Sequence, residues 1–360
     1  MRQTPLLVAL GCFWLAPLGM AVAEEGDVLC FGNNSQGQCD VPVGLPRIVQ
    51  VDIGPTHSLA VDEFGLIHAW GSDDFGQSTI PEDLVGVVTL QVSAGNQHSA
   101  ALDENGQVYC WGSNDFRQCN VPGDLGPCLA VSCGGRHTVA LRENGSVACW
   151  GDDSLGQCQL PSGVISVSRI DAGLFHTVAL KQTGAVICWG SNSFGESDVP
   201  GEVIGATAVA AGGRHTLAVV PSSENGVIAW GSNVSGQLVV PNSLGTVELV
   251  SVSAGSGHSV ALDVFGTVSA WGDDAEGQVA SVNGFEFALQ VCAGGSNSAL
   301  VDLGTIDCPA DFDGDGMVGG ADLTLLLAEW GTAGPMTDLD EDGVVGGADL
   351  TILLAFWGSC

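Results

Sequence analysis

CWGSNDFRQC, Cys110–Cys119, decides the fold because it does not stand alone. CWGDDSLGQC (149–158) has the same form, CFGNNSQGQC (30–39) nearly so, and AWGSDDFGQS (69–78) keeps the loop while dropping both cysteines. An aromatic–Gly pair recurs at Phe31, Trp70, Trp111, Trp150, Trp189, Trp230 and Trp271, at spacings of 39 or 41 residues. A second signature alternates with it: GPTHSLAVD, AGNQHSAALD, CGGRHTVALR, AGLFHTVAL, AGGRHTLAVV, AGSGHSVALD and AGGSNSALVD. Self-similarity at a fixed period marks a repeat architecture. Each unit holds short apolar runs bounded by Gly, Asn, Asp and Pro, as strands between tight turns should be.

A unit of this size cannot bury both faces alone. Stacked radially, each covers its neighbour, and a closed ring leaves only short protected edges. The last signature, AGGSNSALVD, has no aromatic–Gly strand after it, whereas VLCFG (28–32) has no signature before it. The N-terminal strand therefore completes the seventh unit. The expected fold is all-β: a seven-bladed β-propeller over residues 26–306, closed by that strand.

Composition bounds the setting. MRQ, an apolar run and AVA read as an export signal over residues 1–23, placing the mature chain in a secreted, cell-surface or periplasmic location. Loss of Cys12 leaves twelve cysteines, an even number suited to disulfides outside the cytosol. No later stretch is long and apolar enough to insert in a membrane. A formal charge of −33, with eight Lys and Arg in all, argues against nucleic acid, whose phosphates require clustered cations.

The repeated residues read as scaffold. One Trp per unit is what packing between blades needs, and the Gly after it admits a turn that a Cβ would obstruct. His57, His98, His137, His176, His215 and His258 share one repeat position, with Asn297 in the last unit. A catalytic or zinc-binding histidine should be singular or clustered with other ligands, so these are expected to tie adjacent backbone together. His68 stands outside the series, without an identifiable partner. No motif nominates a catalytic residue or an organic cofactor.

The residue before Gly-Gln in each loop varies: Gln36, Phe75, Phe116, Leu155, Phe194, Ser235 and Glu276, with Arg117 replacing the Gly once. Phe75, Phe116, Leu155 and Phe194 follow one another and form either packing under the loops or an exposed arc for a partner. The two loop cysteines are filled together or vacated together in all units but one, where Cys188 faces Ser197. That pattern reads as Cys30–Cys39, Cys110–Cys119 and Cys149–Cys158 bridges, with a Cys308–Cys360 bridge around the C-terminal segment. Cys128, Cys133, Cys188 and Cys292 remain unassigned.

The C-terminal segment carries the most specific chemistry. DFDGDGMVGGAD (311–322) and DLDEDGVVGGAD (338–349) each place Asp at positions 1, 3, 5 and 12 and Gly at 6. Oxygens at that spacing around a sharp turn form a calcium loop, with a carbonyl at position 7. The ligand sets are Asp311, Asp313, Asp315, the Met317 carbonyl and Asp322, then Asp338, Asp340, Asp342, the Val344 carbonyl and Asp349, for two calcium ions. Each loop runs into an apolar stripe: Leu323, Leu326, Leu327 and Trp330, then Leu350, Leu353, Leu354 and Trp357. These spacings predict two short helices packed face to face.

The WGSNxxGQxxVP and AGxxHTVALxxxGxVxxWG signatures resemble the regulator of chromosome condensation repeat family, in its short-repeat bacterial form. The resemblance implies a propeller. The nucleotide exchange and chromatin binding of the eukaryotic namesake are not expected of an exported, acidic chain. The repeat length is similar to that of secreted β-lactamase inhibitors, which bind through aromatic-rich loops on one face. Here the residues before the repeat histidine are Thr56, Gln97, Arg136, Phe175, Arg214, Gly257 and Ser296, only one of them aromatic. The duplicated loop–helix over 308–360 resembles a type I dockerin, which implies calcium-dependent binding of a cohesin-like receptor. Gly319 and Gly346 stand where that pattern usually has Asn or Asp. The expected function is an exported, non-enzymatic binding or scaffold protein with a calcium-dependent docking element. The alternatives are a polysaccharide-active enzyme of glycoside hydrolase type, or its accessory subunit, and an inhibitor of a secreted enzyme.

Overall fold

The computed structural model describes residues 26–302 and, in the C-terminal segment, residues 310, 312, 317–332, 337, 339, 344–355 and 358–359. The expected export signal, the Cys308–Cys360 bridge, Trp357 and the acidic residues Asp311, Asp313, Asp315, Asp338, Asp340 and Asp342 lie outside the described residues.

Residues 26–302 form seven three-stranded antiparallel sheets, the blades of a propeller. Blade 1 comprises Ile48–Ile53, His57–Asp62 and Ile67–Gly71, from the inner to the outer strand. Five more follow in order. Blade 7 takes its inner strand, Ala288–Gly294, and its middle strand, Asn297–Asp302, from the end of the series. Its outer strand is Asp27–Gly32, paired antiparallel so that Asp27 faces Asp302 and Gly32 faces Asn297. The ring thus closes by joining the two ends of the propeller segment.

The strand patterns follow from position. Middle strands such as His98–Asp103 are buried on both faces, because a neighbouring blade covers each side, and they read as nearly continuous apolar runs. On the inner strands, Val51, Val92, Val131, Ile170, Val209, Val252 and Val291 are all buried. Six of the seven tryptophan or phenylalanine positions before the repeated Gly are tryptophan, and all six tryptophans are buried. Gly71 shows why glycine follows: its φ is +95°, and a Cβ would lie 2.6 Å from the Thr56 carbonyl.

A second compact unit holds the C-terminal elements. Helices Gly320–Ala328 and Gly347–Ala355 pack around Ala310, Val318, Leu326, Val345 and Leu353. A two-residue strand, Met317–Val318, pairs with Gly358–Ser359. The apolar stripe is narrower than the spacing suggests: Leu326 and Leu353 are buried, whereas Leu327, Leu354 and Trp330 are exposed. Helices this short present one residue per turn to so small a core. Among the described residues, no helix is long and apolar enough to cross a membrane.

Candidate protein-recognition face

Antiparallel pairing brings two kinds of segment to one face of the propeller: the turns between inner and middle strands, and the loops that follow the outer strands. Ser72 N–H donates to the Thr56 carbonyl at 2.9 Å, and Ser113 to Gln97 and Asp152 to Arg136 in the same way. Each loop is therefore anchored beside its turn.

Beneath this face runs the network that joins the blades. His57 Nε2 lies 2.9 Å from Ser99 Oγ of the next blade, and that hydroxyl donates to the Gln77 carbonyl at 2.8 Å. Trp111 Nε1 donates to the same carbonyl. The hydroxyl proton being committed, His57 must supply the proton on Nε2. The pattern repeats as His98–Thr138, His137–Thr177, His176–Thr216, His215–Ser259 and His258–Ser298. The sequence pointed to backbone as the histidines' partner; the structure gives them a hydroxyl some forty residues away. Burial pushes the imidazoles down, to about 4 for His57, His176 and His258 and about 3 for His98, His137 and His215. They stay neutral near pH 7. His68, lacking a partner on sequence grounds, in fact pairs with Asp62 at 2.9 Å.

The axial channel encloses about 110 Å³ and contains Asp52, Ser93, Ser132, Asp171 and Ser253, which share one register on the inner strands. In the sequence they are the middle residues of VDI, VSA, VSC and IDA, a small polar or acidic position between apolar ones that no linear motif marks. Each side chain accepts an N–H from the following blade: Ala94 to Asp52, Cys133 to Ser93, Ala172 to Ser132, Ala211 to Asp171 and Ala293 to Ser253. Burial raises both carboxyls, Asp52 to about 7. Their hydrogen bonds make them ties between blades.

The loop tips are set from below. A buried Gln or Glu side chain accepts the N–H of the variable residue two positions earlier. Gln77 Oε1 takes Phe75 N–H, Gln118 takes Phe116, Gln157 takes Leu155, and Glu196 Oε2 takes Phe194 at 2.7 Å. This turns the following side chains outward. Phe75 (45 %), Phe116 (39 %), Leu155 (50 %) and Phe194 (43 %) are all exposed and do not pack under their loops. Arg136 stacks its guanidinium on Phe116, 4.4 Å from the ring centroid, and Arg214 stacks on Phe194 at 4.8 Å. A cavity of about 300 Å³ at the channel mouth is lined by Pro55, Asn96, Gly135, Arg136, Leu174, Phe175 and Ser256. Sequence reasoning lined up Arg136 and Arg214 as turn residues but gave them no role, because their ring partners lie on a different loop.

Two loops are stapled, by Cys30–Cys39 and Cys149–Cys158. Cys110 and Cys119 hold the same positions in their loop, with sulfurs 2.7 Å apart. Cys119 Sγ also lies near the Trp111 and Ser113 carbonyls. Ser78 and Ser197 hydroxyls make the matching contacts in loops without cysteine. Cys128, Cys133, Cys188 and Cys292 are buried or half-buried thiols.

In the C-terminal unit, the described loop carboxylates are Asp322 and Asp349, both buried. Asp322 accepts the Phe312 and Gly319 N–H groups, and Asp349 those of Leu339 and Gly346. Each thereby draws positions 2 and 9 of its loop to the start of the helix. Val344 is exposed and its side chain takes no part in the core.

The model of the regulator of chromosome condensation (RCC1) repeat matches residues 90–118, 129–157, 167–196, 206–237 and 249–278. These five stretches run through blades 2 to 6. Prp20p from Saccharomyces cerevisiae shares the fold with a TM-score of 0.65 at 21% identity, over 78% of this chain and 92% of that one. Human WBSCR16 gives 0.60 at 16% identity, over 76% and 98%. The ectodomain of the Physcomitrella patens receptor kinase CR4 gives 0.56 at 22%, over 69% and 71%. No curated protein matches the chain by sequence.

Proposed function

We propose that the chain is an exported, non-enzymatic binding protein whose RCC1-repeat propeller recognises another protein through the face just described, while its C-terminal unit docks or anchors it in a calcium-dependent manner. The observation that carries the first half is the row of four consecutive loop tips holding Phe75, Phe116, Leu155 and Phe194 in solvent. Contiguous exposed apolar groups on a rigid scaffold mark an interaction site. Prp20p, which shares the fold, is described with binding properties to Gsp1p and histones, so a propeller of this kind serves protein recognition elsewhere. The same arc supports a narrower second reading, an inhibitor seated on a secreted enzyme.

For the second half, the described residues fit a calcium loop. Asp322 and Asp349 are held at the helix starts with their loops folded toward them, and the Met317 and Val344 carbonyls would join them as ligands. Asp311, Asp313 and Asp315, with Asp338, Asp340 and Asp342, would complete two sets. The ion would neutralise clustered carboxylates and fix the loop–helix geometry for a cohesin-like receptor.

Two measurements test the reading. Calorimetry should show about two calcium ions bound per chain, as two complete loops require. Pull-down with the full chain from the extracellular and envelope fractions of its host, with calcium and then with chelator, should recover a protein partner. Docking is refuted if recovery ignores calcium, and recognition is refuted if no protein is retained.

A further inference from the structure

Resting on that reading, a finer assignment follows from where the cations sit. The chain has 41 Asp and Glu against eight Lys and Arg. In such a chain an exposed arginine has many carboxylates to choose from. Arg136 and Arg214 nevertheless form no ion pair with any described residue, and each places its guanidinium over a phenylalanine ring of the adjoining loop. Asp115 and Asp152 occupy neighbouring loops and are left alone by both. Stacking fixes a guanidinium while leaving its N–H edge free for a bidentate acceptor.

The two pairs occur at the same relative position, in the turns of blades 3 and 5. Blade 4 between them replaces both members with apolar groups, Phe175 in the turn and Leu155 in the loop. Leu174 and Phe175 line the mouth cavity together with Arg136. A third cation belongs to the same arc. Arg117, next to Phe116, adopts φ +65° at the loop position that the six other loops give to glycine. A side chain kept in that conformation is strained and persists where the surrounding structure holds it.

We propose that blades 3 to 5 bind a protein segment in which an apolar side chain is flanked by two carboxylates. The apolar group enters the mouth cavity against Leu174 and Phe175, and the carboxylates meet Arg136, assisted by Arg117, and Arg214. The other seams lack this pattern: Thr56, Gln97, Gly257 and Ser296 offer no cation.

The test is selection of a displayed random-peptide library on the calcium-loaded full chain, followed by fluorescence anisotropy with the enriched peptides. Enrichment of Asp or Glu on both sides of Leu, Ile, Phe or Trp is expected. Arg136→Gln with Arg214→Gln should weaken binding by at least about 100-fold, roughly tenfold for each charge-assisted contact. Replacing the peptide acids by amides should do the same. Arg136→Lys with Arg214→Lys should recover only part, and Phe265→Ala, in the exposed turn between the middle and outer strands of blade 6, should change binding little. Both arginines are exposed, so the melting curve of the double glutamine variant should match that of the parent and exclude a folding defect. No enrichment, a neutral or basic motif, or undiminished binding by the double variant overturns the assignment. A partner recovered by pull-down that the double variant retains removes this assignment alone and leaves the propeller's recognition role standing.

Discussion

The six seams within the propeller and the seventh that closes it solve one problem with different chemistry. In the six, a buried imidazole donates to a hydroxyl of the next blade, and the chain itself continues across. In the seventh, Asn297 Nδ2 reaches the Gly54 carbonyl at 3.3 Å, and continuity comes from the borrowed strand Asp27–Gly32. Ser58 still donates to the Gln38 carbonyl, and so does Trp70, so the acceptor side of the network is intact there. The ring is therefore uniform in its apolar packing and singular in one polar link. Closure depends on strand pairing where the histidine is missing.

Truncation of residues 1–32 should break the comparison most severely. It bares the middle strand of blade 7 as a sheet edge and should abolish the single cooperative melting transition, read by calorimetry. Acidification comes next. The six histidines have folded values near 3 to 4, below the 6.5 of a free imidazole, so the unfolded chain takes up protons first. Their contribution is complete above about pH 6.5 and is lost as pH falls toward 3 to 4. Asp52, raised to about 7 by burial, opposes this: its contribution is complete below 3.8 and lost as pH rises through about 7. Asp171, also raised by burial, acts in the same direction as Asp52, but six groups outweigh two, so the denaturant midpoint should fall steadily from pH 6.5 to 4. A flat profile would refute the neutral-imidazole network.

Single substitutions sharpen the contrast. Gly95→Val should cost about 3 kcal/mol or more, because even a Cβ would stand 2.6 Å from His98 Cε1 and 2.7 Å from the Gly134 carbonyl. His137→Ala should cost about 2–3 kcal/mol through the cavity and the lost hydrogen bond. Asn297→Ala should cost only about 1 kcal/mol. The smallest effect is the most telling: Asn297→His places an imidazole where Ser58 can accept from it, and should stabilise by about 0.5–1 kcal/mol in urea unfolding. Destabilisation by that change would mean the seventh seam differs in shape as well as in chemistry.

Much of this was legible in the sequence. The forty-residue period, the orphan strand at 28–32 and the orphan signature at 293–302 specify a closed ring before any coordinate is known. The tryptophans and glycines also read correctly, because core packing and tight turns constrain residue type locally. The histidine's partner did not, since a hydroxyl forty residues on is invisible to a local pattern. Cys110 lies against the Gln118 carbonyl as Cys30 and Cys149 lie against those of Gln38 and Gln157, a likeness that the shared spacing already implied.

The sequence alone determined the repeat, the number of blades, the means of closure and the two acidic loops, because each is written as a spacing along the chain. Only the tertiary structure decided what the variable positions do. Whether Phe116 is core or surface depends on Gln118 capturing its N–H, and what Arg136 touches depends on which loop stands beside its turn. Those are contacts between segments that periodicity aligns but cannot place, and they fix which residues the recognition face leaves free to bind.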